Sequence, residues 1–189
     1  MKRLIIILFL VISNCHAILS QDENFVVFFT DAITNGVPVY SNDTGIDIIT
    51  NIKEYPEKEN WHDVEILSKS NNRYKVRIIA INEIDVTPIT GWVDKEQCGV
   101  WLRGKWINPE LSIVSLYRMP GQLYPFVKLT DKYANGFHKY VDTKSNAVPV
   151  LDYKLYKGKY WIKTVIIKNK RKIIGWTINF CPNPYDSCT

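Results

Sequence analysis

The densest chemistry in this chain is cationic. Lys154, Lys157, Lys159, Lys163, Lys168, Lys170, Arg171 and Lys172 fall within one short stretch, beside Tyr153, Tyr156 and Trp161. Clustered positive charge steers an anionic polymer or an acidic protein toward its site. Lysines along a strand edge also keep sheets from pairing between molecules, and both readings stand at this level. Candidate acid-base groups are sparse. His62 is followed by Asp63 and Glu65, but the other histidine beyond the first twenty residues, His138, lies at no metal-ligand spacing from it. Catalysis needs a nucleophile or metal with a base in reach, so a non-catalytic chain without metal or cofactor is expected. Asp43, Gly45 and Asp47 hint at a calcium loop. The twelve-residue ligand pattern with its closing Glu is missing, and a turn is expected there.

The elements that must position these groups are strands. In RYKVRIIAINEIDVTPITGWVD, residues 73–94, Tyr74, Val76 and Ile78 alternate with Lys75 and Arg77, the period-2 pattern of a half-buried strand. KYWIKTVIIKNKRKIIGWTI, residues 159–178, has the same layout, and Gly175-Trp176 stands where Gly91-Trp92 stood. Tyr74 precedes Gly91 by 17 positions and Tyr160 precedes Gly175 by 15. A period of roughly 85 residues exceeds the 20–50 of solenoid units, so two similar small domains are predicted, residues 21–104 and 105–189. In each, the glycine permits a sharp bend or a close backbone approach.

With the opening VPVYSNDTG of residues 37–45, the paired strands of Val64, Ile66, Tyr74 and Val76, and the closing Gly91-Trp92-Val93, this unit resembles the bacterial SH3-type domain, a small extracytoplasmic β-barrel. The resemblance covers residues 25–97 and, more weakly, 113–180. It implies an all-β fold of two tandem SH3-like barrels. The second would carry an inserted hairpin within 121–146 and a cysteine-bearing tail. It also implies a ligand groove between the variable loops and the closing hairpin, which would involve Tyr40, Trp61 and Trp92. In the family such barrels often accompany cysteine endopeptidases of the cell wall, a domain for which this chain has no room.

Residues 1–20 open with Lys2 and Arg3, run through LIIILFLVI and end in small or polar residues, the layout of a secretory leader. It is too short for a membrane span, and cleavage after Ser20 is expected. Lipid attachment at Cys15 is the alternative. Without Cys15, three cysteines remain. Cys181 and Cys188, with two prolines between them, are the expected disulfide, and Cys98 is expected to stay reduced. The run GVWLRGKWINP, residues 99–109, reads as a connector packed between the two barrels and anchored by Trp101 and Trp106, with an exposed aromatic ligand patch as the alternative.

Hydrophobic residues make up 46% of the chain and aromatic ones 13%, ample for a folded core. Charge is divided: residues 21–104 carry 8 Lys and Arg against 14 Asp and Glu, whereas residues 105–189 carry 14 against 5. Taken with the resemblance and the leader, the expected function is a secreted binding module for cell-wall glycopeptide or an extracytoplasmic protein. The alternative is an inhibitor or immunity-type protein whose acidic half plugs an enzyme. An anionic ligand would meet Lys157, Lys159, Lys170, Arg171 and Lys172, whose turns are expected to converge at one end of the second barrel. Nucleic acid is not an expected partner, since no dedicated motif is present.

Overall fold

A computed structural model describes residues 25–30, 32, 35–55, 61–81, 86–133, 136–141 and 147–182. The leader with Cys15 and the tail with Cys188 lie outside them. The first half runs through β1 (Phe25–Phe29), β2 (Val37–Tyr40), β3 (Ile48–Ile52), β4 (His62–Lys69), β5 (Arg73–Ala80) and β6 (Ile89–Asp94). A single 3₁₀ turn, Lys95–Gln97, leads into β7 (Cys98–Leu102). Then follow β8 (Lys105–Asn108), β9 (Leu111–Leu116), β10 (Val127–Asp131), a 3₁₀ helix Gly136–Tyr140, β11 (Val148–Pro149), β12 (Asp152–Tyr156), β13 (Lys159–Lys168), β14 (Arg171–Thr177) and β15 (Phe180–Cys181). The described residues are all-β, and none of their helices is long and apolar enough to cross a membrane.

All pairings are antiparallel. One sheet runs β11-β7-β1-β4-β5-β6-β2-β3 with β15 also on β7, and two three-stranded sheets run β10-β9-β8 and β12-β13-β14. None closes into a barrel, which corrects the expectation of two closed barrels. The reason lies in β7. Closure requires the terminal strands of a sheet to meet. Instead β7 pairs with β1 through Cys98 and Gly99, with β11 through Gly99 and Val100, and with β15 through Trp101 and Leu102. The strand that would seal the first half is shared with the second.

Gly91 lies in β6 opposite Val76 of β5, and Gly175 lies in β14 opposite Thr164 of β13. Trp92 pairs with Tyr40 at the end of β2, and Trp176 pairs with Tyr117 just after β9. β2 pairs onward with β3, and β9 with β10.

Strand alternation builds the core. Phe25, Val27 and Phe29 of β1, Tyr74, Val76 and Ile78 of β5, and Ile162 and Ile166 of β13 are buried in one cluster that continues across residue 104. Phe25 stacks 5.0 Å from Tyr153 and lies 4.8 Å from Tyr160, with Phe180 edge-on at 5.9 Å. The Tyr74 hydroxyl, fully buried, donates to the Val150 carbonyl at 2.9 Å. Burial pushes that phenol well above its ordinary range, so it remains a donor at any physiological pH. At the surface Lys69 reaches Asp152 at 2.6 Å. Both side chains are substantially exposed, so that pair is worth only about 0–1 kcal/mol.

Two local expectations change. Residues 99–109 form strands β7 and β8, and alternation that buries Val100 and Leu102 turns Trp101 outward, where it meets Phe28 edge-on at 6.1 Å. Trp106 is 48% exposed. Within the 121–146 insert, β10 pairs along β9 instead of forming its own hairpin, and the 3₁₀ helix seats Phe137 in the core. Gly104 accommodates that ring: a Cβ there would stand 2.4 Å from Phe137 Cε2.

Candidate functional site

Tyr40 and Trp92 meet because Gly91 is bare. Val39, Gly91 and Val93 point into the core, so their neighbours Tyr40 and Trp92 face outward. A Cβ on Gly91 would stand 2.3 Å from Val39 Cγ1 and 3.0 Å from the Tyr40 carbonyl oxygen. Its absence lets β2 close on β6. Arg73 then locks the pair. Its guanidinium lies 3.5 Å from the Tyr40 ring centre, its Nε donates to Asp94 Oδ1 at 2.9 Å, and its Nη1 donates to the carbonyls of Asn42 and Gly45 at 3.1 and 2.7 Å. A cation over an aromatic face is worth about 0.5–2 kcal/mol according to its desolvation, and this side chain is only 12% exposed.

Arg73 thereby staples the 41–47 loop to the sheet. Within that loop Ser41 N–H donates to the Asp47 carbonyl at 3.0 Å and Thr44 N–H to Asn42 Oδ1 at 3.1 Å. These are turn interactions, as expected for Asp43, Gly45 and Asp47, and no metal-binding group of three such side chains occurs among the described residues. The loop presents Ile46, and the start of β3 presents Ile48 and Ile49, which are 86%, 58% and 54% exposed. Nothing in the sequence marked Arg73, because a lone arginine opening a strand is indistinguishable from a solvated one until the loop it reaches is placed.

Trp61 lies elsewhere. The Ile81 N–H donates to its carbonyl at 2.9 Å, placing Trp61 opposite Ile81, whereas Trp92 pairs with Lys75. Six residues of β5 separate these levels, about 20 Å at the usual rise. The three-residue groove of Tyr40, Trp61 and Trp92 therefore reduces to Tyr40 and Trp92. At the Trp61 end, the His62 N–H donates to Glu54 Oε1 at 3.2 Å. His62 Nδ1 stands 3.5 Å from that oxygen without forming a hydrogen bond.

The basic residues divide too. Lys157-Gly158 and Asn169-Lys170 have positive φ at both central positions, 51° and 71° in the first pair, 52° and 62° in the second, as type I′ hairpin turns require. The first joins β12 to β13 and the second joins β13 to β14. Consecutive turns flank their shared strand, so they do not converge. β13 has 10 residues, which puts the turns on the order of 30 Å apart. Lys157 and Lys159 hold one end. Lys170, Arg171 and Lys172 hold the other, beside a groove of about 560 Å³ lined by Phe126, Val127, Lys168, Arg171, Lys172 and Ile173.

Cys98 carries a free thiol, fully buried, and burial raises its pKa far above that of a reactive thiolate. It is a packing residue of β7. Cys181 is buried in β15. Compared with known proteins, the chain matches no family model, no curated protein and no solved structure.

Proposed function

We propose that this chain is a non-catalytic binding module of two SH3-like units, acting outside the cytoplasm on cell-wall glycopeptide or an extracytoplasmic protein. The observation that carries this reading is the Tyr40–Trp92 surface, outward-facing yet held rigid by Arg73. Rigid aromatic surface is what binding sites concentrate, since ordering it again on binding costs little. The unit assignment draws support from strand order: β4-β5-β6-β2-β3 in one half corresponds to β12-β13-β14 with Tyr117–Trp176 linking to β9-β10 in the other.

Retention on purified peptidoglycan tests it. Trp92→Ala is expected to weaken retention about 30-fold, the scale of an aromatic hot spot of roughly 2 kcal/mol. Trp61→Ala should leave retention unchanged. Equal retention of the Trp92 variant, with an unaltered circular dichroism spectrum, would remove the site. The second reading, an inhibitor or immunity-type protein, rests on the protruding Ile46, Ile48 and Ile49 beside Asp43 and Asp47. Flow-through on peptidoglycan with a stable stoichiometric protein complex favours it.

Secretion through the 1–20 leader belongs to the same proposal, with lipid anchoring at Cys15 as its alternative, and so does a Cys181–Cys188 bridge. Closing so short a loop would contribute about 2 kcal/mol. Peptide mapping without reductant is expected to recover these two cysteines linked, and a bridge involving Cys98 in their place would overturn the assignment.

A further inference from the structure

The 117–126 segment is a rigid loop with an apolar tip. Its stem is closed by paired hydrogen bonds of 2.8 Å between Tyr117 and Trp176 and by Phe126 N–H to the Leu116 carbonyl at 2.9 Å. Inside it, the Arg118 N–H donates to Gln122 Oε1 at 3.1 Å, and Gly121, at φ 79°, lies against the Tyr156 ring. Pro120 and Pro125 stiffen it further. On this frame Leu123 and Tyr124 stand 86% and 84% exposed, with Met119 at 56%.

Cations flank the loop at its stem and midway along it. The Arg118 guanidinium lies 5.4 Å from the Phe126 ring centre. Phe126 also walls the groove shared with Lys168, Arg171 and Lys172, whose lining holds no acidic side chain. Midway along the loop, against Gly121, Tyr156 carries the Lys157 ammonium 5.6 Å from its ring centre. The loop thus spans the interval between the two basic turns that β13 holds apart.

We propose that this loop docks on an anionic phospholipid surface, with Leu123 and Tyr124 entering the headgroup-acyl boundary and the flanking Lys and Arg meeting lipid phosphates. A projecting apolar tip inside a cationic rim suits a bilayer, where insertion gains from buried apolar area and from attraction to anionic lipid together. An acidic peptide would take the groove but leave two consecutive large side chains in water. The site is separate from Tyr40–Trp92 and does not depend on what binds there.

Co-sedimentation of the purified full chain with vesicles tests the proposal. Binding is expected to phosphatidylcholine mixed equally with phosphatidylglycerol, weakening with salt, and to be minimal on phosphatidylcholine alone. Leu123→Asp with Tyr124→Asp should lower the partition coefficient at least about tenfold, the cost of keeping one leucine-sized side chain in water. Arg171→Glu with Lys172→Glu should lower it comparably. Trp92→Ala should bind vesicles like the parent. Both altered positions in the tip are exposed, so the circular dichroism melt should not move. The proposal is overturned if the parent ignores the anionic vesicles, if the tip variant binds them equally, or if soluble polyglutamate binds with the same dependence on Leu123 and Tyr124, which would make the partner an acidic macromolecule.

Discussion

Phe25→Ala is expected to lower the unfolding free energy by about 3–5 kcal/mol, the range for truncating a buried phenylalanine. Phe25 is 4% exposed and sits opposite Ile66 in the β1–β4 ladder, so its loss first removes packing within the first half. Its ring also contacts Tyr153, Tyr160 and Phe180, each from the second half. The resulting cavity lies at the junction, bounded by strands β12, β13 and β15, and ladder hydrogen bonds keep those strands from collapsing into it. A domain holds about 5–15 kcal/mol in total, so this one change removes a large share. Urea titrations followed by tryptophan fluorescence and by far-ultraviolet circular dichroism check it. The midpoint should fall for both signals together, because the core is continuous across residue 104. Two separated transitions, with only the first shifted, would show that the halves fold independently.

That continuity is not written in residue order. Alternation in 73–80 and 159–168 was plain, because a strand with one buried face writes its period directly into the residue order. The Gly-Trp pairs are equally plain in the sequence, and Gly91-Trp92 lies in β6 beside β5 and Gly175-Trp176 in β14 beside β13. Which strands pair is a different matter. Nothing in Cys98–Leu102 distinguishes a connector from a strand that serves β1, β11 and β15 in turn, since its partners lie up to 80 residues away. Trp101 and Trp106 were misplaced for the same reason: aromatic content suggested burial, and only the register of β7 shows which face each side chain takes. The candidate site was half legible. Tyr40 and Trp92 followed from the resemblance, but Arg73 acts through two backbone carbonyls, and carbonyls leave no trace in residue type. Two hairpins in succession must point opposite ways, so the order β12-β13-β14 itself sets the basic turns at opposite ends of β13.

Gly91→Ala is expected to destabilise the protein by about 1–3 kcal/mol, while Gly175→Ala should change stability by less than about 1 kcal/mol. Neither glycine has positive φ, so an alanine backbone is allowed at both and the difference is one of space. At Gly91 the new Cβ would meet Val39 Cγ1 at 2.3 Å, with the Tyr40 carbonyl oxygen at 3.0 Å behind it. Val39 is fully buried and cannot swing aside, so β2 must retreat from β6. At Gly175 the nearest atoms are Leu116 Cβ at 3.0 Å and two Phe126 ring carbons at 3.1 Å. Phe126 is 40% exposed, so its ring has room to yield, whereas the buried Leu116 Cβ requires β14 and β9 to part by a few tenths of an ångström. What remains is offset by the smaller conformational freedom of alanine in the unfolded chain. Chemical denaturation of both variants measures the contrast. Adding Val39→Ala to Gly91→Ala should then cost less than the two single changes predict together, since it removes the clashing methyl. The rescue should be partial, because the Tyr40 carbonyl stays in place. If the two changes simply add, β2 is not held against β6 through Val39. Tyr40 and Trp92 would then owe their contact to Arg73 and the 41–47 loop alone.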